Sequence, residues 1–214
     1  MRRFFFLFAF LLALLIPVES VAAPFAVLHK RGSAWSGGGS STFYPGAGGD
    51  DYSWSDLAFQ KGNSWVGFGG HDRSYHAGFR FSNVTIPQGA TIITEYLGGP
   101  AYNDGTNDPV IYIYGNDTND AVLPTSVNEC TELVHTTAMV EWNPTVWTAG
   151  TVYTTPELKT IIQEIVDRGD WESGNHMQIL LIDQTGSQLS HNRNYCGIEY
   201  EYGAKKVGLY VEWE

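Results

Sequence analysis

The stretch GFRFSNVTIPQGATI, residues 78–92, is the feature that most limits how this chain can fold. Phe79 and Phe81 alternate with polar residues, and the apolar pattern resumes at Val84 and Ile86 before the turn-forming sequence PQG interrupts it. Alternation with a period of two sends successive side chains to opposite faces of a strand, while Pro and Gly favour a turn. We therefore predict two strands joined at a tight corner, each with one apolar face toward a common core.

Short apolar segments separated by clusters of Gly, Asn, Asp and Pro continue along most of the chain. They lie at residues 65–68, 78–81, 91–97, 110–114, 137–142, 178–182, 197–202 and 207–213. Many short strands at regular spacing favour a sandwich or barrel over alternating strands and helices. We predict an all-β fold, a jelly-roll-type antiparallel β-sandwich, over residues 50–214.

One segment has helical periodicity and predicts a short α-helix at about 155–168. Its apolar stripe consists of Leu158, Ile161, Ile162 and Ile165. Two N-terminal caps are open: Thr155 followed by Pro at the first helical position, or Thr154 in a capping box with Glu157. Gly169 suits a left-handed stop. We expect this helix to be structural and to cross one end or face of the sandwich.

With the helix placed, the order of motifs resembles a known class of domain. The motifs are NVTIPQGATI at 83–92, IYGNDTNDA at 113–121 and TPELKTIIQEIVDRGDWESGN at 155–175. Together they resemble the jelly-roll β-sandwich modules of carbohydrate-binding type that occur in bacterial secreted and surface proteins. Such modules are often appended to polysaccharide-acting enzymes or adhesin-like chains. The resemblance implies the sandwich fold and a non-catalytic, glycan-binding role.

Residues 1–22 have the layout of a secretory signal peptide. Two Arg residues precede an almost unbroken apolar run at 4–18, and small residues follow it. We predict cleavage after Ala22, with Ala23 as the alternative, and a product that is secreted or held at the cell surface. An uncleaved anchor is disfavoured because a membrane span needs about 20 apolar residues. Cleavage would leave a flexible Gly/Ser-rich segment at 23–49 and no membrane contact.

Cys130 and Cys196 are the two cysteines of the chain. An exported protein meets oxidants, so an even number of cysteines predicts a disulfide between them. Because the closed loop would be long, the chain-entropy model gives such a bond about 4 kcal/mol of stabilisation. The alternative is two separate thiols.

The charge balance limits the partners of this chain. It carries 12 Lys and Arg against 23 Asp and Glu, a formal net charge of −11. Binding to nucleic acid requires a basic patch that neutralises phosphates, and the sequence contains no basic run longer than two residues. We therefore expect no nucleic-acid partner. The expected partner is a glycan or polysaccharide, with other surface proteins as the alternative.

Two tryptophans are the candidates for contact with sugar. Trp54 and Trp147 are flanked by Ser, Asp and Thr rather than by apolar residues, which indicates loop or edge positions. Aromatic rings offer a large apolar face with a preferred stacking geometry, and the apolar face of a sugar can stack on such a ring. The alternative is that both rings are part of the core.

Asp50 and Asp51 are the candidates for metal binding. They stand at the start of the predicted domain, where modules of the resembled type often hold a cation, and we expect a structural calcium there. Calcium takes six to eight oxygen ligands, and carboxylate and amide side chains at strand ends can supply some of them. The alternative is that such residues only form turns, since Asp and Asn bond their own backbone.

The sequence contains no short catalytic signature, neither G-x-S-x-G, nor HExxH, nor a phosphate loop. A glycosidase would need two carboxylates across the sugar, and the Glu residues have no distinctive context. His71 and His76 are five residues apart and would face opposite sides of a strand, so we expect surface positions rather than zinc ligation. We expect first a non-catalytic glycan-binding protein, second a structural or adhesive surface component and third a polysaccharide-active enzyme.

Two acceptor sequences for N-linked glycans are present. They are Asn83-Val84-Thr85 and Asn116-Asp117-Thr118, whereas Asn143 is followed by Pro and does not qualify. They are relevant only in a host that glycosylates exported proteins.

Overall fold

A computed structural model describes residues 38–46, 49–62, 64–69, 73–186, 191–197 and 206–214. The predicted signal peptide at 1–22 lies outside these residues, as does most of the segment at 23–49.

Twelve strands and two short helices make up this part of the chain. In chain order they are β1 (Gly39–Phe43), β2 (Asp51–Trp54), β3 (Phe59–Lys61), β4 (Ser64–Gly69), β5 (Arg73–Phe81), β6 (Ile92–Pro100), β7 (Ile111–Gly115), α1 (Val127–Thr131), β8 (Val140–Trp142), β9 (Val152–Thr154), α2 (Lys159–Val166), β10 (Met177–Asp183), β11 (His191–Tyr195) and β12 (Gly208–Trp213).

The strands form two antiparallel sheets. The smaller sheet has the order β1-β12-β6-β9, and the larger has the order β11-β4-β5-β10-β7-β8, with β2 paired to both β3 and β5. The main apolar core includes residues from both sheets, among them Phe79, Leu181, Leu97 and Leu209. The predicted all-β sandwich is therefore confirmed.

Residues 78–92 fold as the alternation of their side chains predicts. The side chains of Phe79 and Phe81 on β5 and of Val84, Ile86 and Ile92 beyond it are all fully buried. The corner at 87–89 is also present, and there the Ala90 amide donates a 3.2 Å hydrogen bond to the Pro87 carbonyl. The two strands are separated by more than the corner, because β5 ends at Phe81 and β6 begins at Ile92.

The predicted helix is present as α2, although its N-terminal cap differs. The helix begins at Lys159 with Leu158 at the cap position, and no side chain caps it. Thr155 is drawn to β6 instead, where its hydroxyl accepts a 3.1 Å hydrogen bond from the Leu97 amide. Thr155, in the segment before α2, thus bonds the Leu97 amide of β6, which lies next to the part of β6 that pairs with β9.

Helix α1 was not predicted, because five residues are too few for a periodic apolar stripe. Ser126 caps it by accepting a hydrogen bond from the Glu129 amide, and Cys130 packs against the larger sheet with Tyr52 and Leu180. Among the described residues, neither helix is long and apolar enough to cross a membrane.

The segment at 23–49 was expected to be flexible, but its C-terminal part contains a strand. Gly39–Phe43 forms β1, which pairs with β12 over five residues. The glycine content has a packing reason here, because a Cβ at Gly39 would come within 2.7 Å of the Trp213 ring. A composition typical of a linker therefore also suits an edge strand covered by a large side chain.

The predicted disulfide is wrong. Cys130 and Cys196 are both free thiols, and both are buried. Cys130 lies on α1 against the larger sheet, whereas Cys196 follows β11 and donates its amide to the Pro100 carbonyl at the end of β6. Burial raises the pKa of both thiols, that of Cys130 to about 12, so neither is a reactive thiolate near neutral pH.

Candidate functional site

An open cleft of about 270 Å³ lies beside the β4–β5 hairpin on the face of the larger sheet that points away from the core. Its lining residues are Asp56, Phe68, Arg73, Ser74 and His76. Phe68 and Ser74 are register partners, so their side chains share one face of the sheet. His76 stands two residues further along β5 and therefore on the same face, while Ala77 and Phe79 enter the core.

The protonation state of His76 is set by its surroundings. Its Nδ1 accepts a 3.0 Å hydrogen bond from the backbone amide of Asp183. A neutral imidazole has one donor and one acceptor nitrogen, so the proton is held on Nε2. Burial lowers the pKa of His76; the charge of Asp183 raises it and His135 lowers it. The residue is thus a neutral hydrogen-bond donor in the wall of the cleft near neutral pH.

Trp54 supports this histidine from the neighbouring strand. The two residues are register partners between β2 and β5, and their ring centroids are 5.2 Å apart at an interplanar angle of 50°. Trp54 is only 4% exposed, so the expectation that its ring is open at a loop or edge is wrong. The structure brings this predicted residue to the cleft as a packing partner of His76.

Arg73 and Asp56 stand at the mouth of the cleft. Arg73 Nη1 lies 3.8 Å from Asp56 Oδ1, and both side chains are partly or largely exposed. This separation is too long for a hydrogen bond, so the pair holds opposite charges near each other while its donors and acceptors can still meet a ligand. Such an exposed pair contributes little to stability.

The combination of Ser74, His76 and Asp183 does not form a hydrolytic triad. In a triad the carboxylate accepts the Nδ1 proton, and Nε2 is free to act as the base. Here Nδ1 accepts from the Asp183 backbone, and Asp183 Oδ1 accepts from the Thr185 amide. Because Nε2 carries the proton, His76 cannot take a proton from Ser74 in this arrangement.

Trp147 lies in a buried aromatic cluster away from the cleft. It is 2% exposed, stacks on Tyr153 with centroids 4.7 Å apart and contacts Tyr195 at 4.8 Å. The guanidinium of Arg193 lies 5.9 Å from its ring centroid. The predicted loop position is correct, since Trp147 lies outside the strands in an isolated bridge to Gly105. Its ring is nevertheless part of the core, which was the alternative.

The two candidate metal ligands have different environments. Asp50 forms an ion pair with Arg80 at 2.9 Å, and its other oxygen accepts hydrogen bonds from the Gly46 amide and the Ser82 hydroxyl. The Asp51 carboxylate is fully buried beside Gly197. Within the described ranges no group of three or more His, Cys, Asp or Glu side chains could hold a metal ion. Calcium binding stays a prediction.

The cleft residues carry no signal that sequence reasoning could have isolated. They come from the β2–β3 turn and from β4 and β5, and no short motif joins them. One local sign is present in hindsight: β5 begins with the polar residues RSYH and continues with the apolar alternation.

Comparison with protein families and with characterised proteins gave no match for this chain.

Proposed function

We propose that this protein is an exported, non-catalytic β-sandwich that binds a glycan in the cleft beside His76. The observation that carries the proposal is the composition of the cleft. One largely buried aromatic side chain, Phe68, which is 9% exposed, stands beside a guanidinium, a carboxylate, a hydroxyl and an imidazole N–H. Ligand sites of this kind combine an apolar surface with a few placed polar groups.

The charge balance of the cleft supports a neutral sugar as the ligand. Arg73 and Asp56 carry opposite charges, and the depressed pKa of His76 keeps the ring neutral. Sugar hydroxyls are both donors and acceptors, so they can pair with a carboxylate and with N–H groups at the same time. The net negative charge of the chain also opposes a polyanionic ligand.

A glycan array with the chain lacking residues 1–22 tests this function. We expect binding to one class of neutral glycan, which Arg73→Gln and Asp56→Asn each weaken about tenfold, the effect of one polar contact of about 1.4 kcal/mol. Arg168→Gln is the matched control, since Arg168 is similarly exposed and ion-paired but is not among the cleft residues.

Two results would contradict the proposal. One is the absence of binding to every glycan by a folded protein, and the other is binding that Arg73→Gln and Arg168→Gln reduce equally. The second result would move the sugar site away from the cleft.

A second candidate function, a structural or adhesive surface component, is favoured by one observation. An apolar hollow of about 180 Å³ next to α1 is lined by Val122, Leu123, Pro124, Glu129 and Leu133. Val122 is 77% exposed there and Val134 nearby is 61% exposed, and exposed apolar patches often mark contact surfaces. Sedimentation of the native protein and of Val122→Ser would show whether this surface mediates self-association.

A further inference from the structure

We infer that Asn83 is the one glycan acceptor among the two candidate sequences when this chain passes through a secretory pathway that attaches N-linked glycans. The modification joins Nδ2 of Asn83 to the anomeric carbon of an oligosaccharide that the pathway supplies on a lipid pyrophosphate. The bond from that carbon to the lipid pyrophosphate breaks, and the amide gives up one proton. The inference is independent of the proposed ligand cleft. It rests on the different environments of two otherwise equivalent motifs.

The first motif presents its two essential side chains to solvent. Asn83 and Thr85 are exposed, whereas Val84 between them and Ile86 after them are fully buried. Exposure thus alternates along residues 83–86, with the acceptor amide and the threonine hydroxyl outside and the apolar residues in the core. A bulky hydrophilic glycan needs a surface position of this kind.

The side-chain amide of Asn83 also takes no part in holding the fold together. Its side chain makes no hydrogen bond within the described part of the chain, and the residue has a φ of 54°. Asparagine tolerates this left-handed conformation, which other side chains rarely adopt. The nearby Gly174 adds no bulk, since even a Cβ placed there would be 3.6 Å from Asn83 Oδ1.

The second motif is built into the fold. Asn116 is 6% exposed, and its Nδ2 donates a 3.2 Å hydrogen bond to Oε1 of the fully buried Gln178. Its backbone amide donates to the Gln178 carbonyl at 2.9 Å. The middle residue, Asp117, is ion-paired with Arg168. A glycan on Nδ2 would have to break the amide contact and force β10 away from the end of β7.

A glycan on Asn83 is compatible with ligand binding in the cleft. Asn83 follows the C-terminal end of β5, while His76 lies in its first half. The five residue steps from His76 to Phe81 alone span about 17 Å of extended chain. Modification and ligand binding should therefore be separable.

The test is secretion of the full chain from a eukaryotic cell line, once with its own leader and once with a proven leader. The product is analysed by intact mass before and after treatment with a peptide N-glycanase, which leaves Asp at each occupied Asn. We expect one glycan, lost in Asn83→Gln and in Thr85→Ala. Thr118→Ala is the matched control, because it destroys the second motif without touching the Asn116 amide, and it should keep the glycan.

The proven leader separates failure of the site from failure of export. A secreted, folded product without a glycan in that arm would overturn the inference. Occupancy that survives Asn83→Gln and disappears in Thr118→Ala would overturn it as well. Neither result bears on the proposed cleft, which is tested with unglycosylated protein.

Discussion

His76 Nδ1 accepts a hydrogen bond from the backbone amide of Asp183 at 3.0 Å, across the edge between β5 and β10. This contact fixes the tautomer of His76 in the cleft wall and turns its Nε2 into a donor. Protonation of Nδ1 would replace the acceptor by a second donor facing the Asp183 amide. The contact therefore ties the proposed ligand site to pH.

We expect glycan binding to be constant from pH 8 to about 6.5 and to fall at lower pH. The pKa of His76 is lowered by burial, so the ring stays neutral until the pH drops below the ordinary value of about 6.5. Protonation then breaks the contact with Asp183 and moves the ring. Calorimetric titration of the bound glycan between pH 8 and pH 4.5 measures this profile.

Two variants check that His76 is responsible. His76→Gln offers one acceptor and one donor that do not titrate, so it should keep part of the affinity and flatten the profile. His176→Gln replaces a histidine that pairs with Asp120 and is not among the cleft residues, and it should leave the profile unchanged. A profile that persists in His76→Gln would contradict the assignment.

The role of Asp50 can be decided by comparing stability with and without calcium. Its ion pair with Arg80 is largely buried, and removing one partner of such a pair costs about 3 kcal/mol. We expect Asp50→Asn to lower the free energy of unfolding by that amount in calcium and in chelator alike, as measured by urea denaturation. A loss found only in calcium would show that Asp50 binds the cation.

The sequence is sufficient to predict the sandwich but not the cleft. Strict alternation at Phe79 and Phe81, and helical spacing at Ile161 and Ile165, are local consequences of burial, so the pattern alone reveals them. The cleft depends on which strands lie side by side. The pairing of Trp54 with His76 joins residues 22 positions apart, and nothing local marks it.

The errors also have physical reasons. Polar neighbours made Trp54 and Trp147 look like loop or edge residues. Every residue of β2 is buried, its polar residues included, and Trp147 lies outside the strands with its ring nevertheless buried, so the polarity of the neighbours says little about the ring. Two cysteines in a chain that is predicted to be exported favour a disulfide by compartment alone. Whether they meet depends on topology. Here Cys130 packs in a cluster on the larger sheet, while Cys196 follows β11 and bonds to Pro100 at the end of β6.

We expect that Gly78 on β5 cannot be replaced by a residue with a side chain without loss of stability. A Cβ there would overlap the ring of Tyr52, which is fully buried and accepts a hydrogen bond from the Gln178 amide. Trp54 and Phe59 pack around the same ring, each with its centroid 5.6 Å away, so the ring has no room to move. We expect Gly78→Ala to cost about 3 kcal/mol, the upper range for overpacking.

Thermal and urea unfolding of Gly78→Ala, with Gly169→Ala as control, measure this cost. No atom lies within 4 Å of the position a Cβ would take at Gly169, so that substitution should change the free energy of unfolding by less than about 0.5 kcal/mol. Equal stabilities of the two variants would show that the Tyr52 ring can shift.

Glu95 is a carboxyl group buried on β6 beneath the start of α2. It is fully buried, and neither oxygen has a hydrogen-bond partner of standard geometry among the described residues. Burial, and after it the charge of Glu157, raise its pKa from 4.5 to about 7. Lys159 and the first amides of α2 act in the opposite direction, as favourable electrostatics without full hydrogen bonds. The folded protein therefore prefers the protonated form.

We expect Glu95 to make the protein less stable as the pH rises. A pKa raised from 4.5 to about 7 means that the folded state binds the proton more tightly than the unfolded chain. The contribution is complete below pH 4.5 and is lost as the pH rises through 7, by up to about 3 kcal/mol. Glu95→Gln removes the titration, so its stability relative to the native protein should rise between pH 5 and pH 8, as measured by urea denaturation at each pH. Glu157→Gln, an exposed neighbour, should change this dependence far less, and parallel curves for Glu95→Gln and the native protein would assign the pH dependence elsewhere.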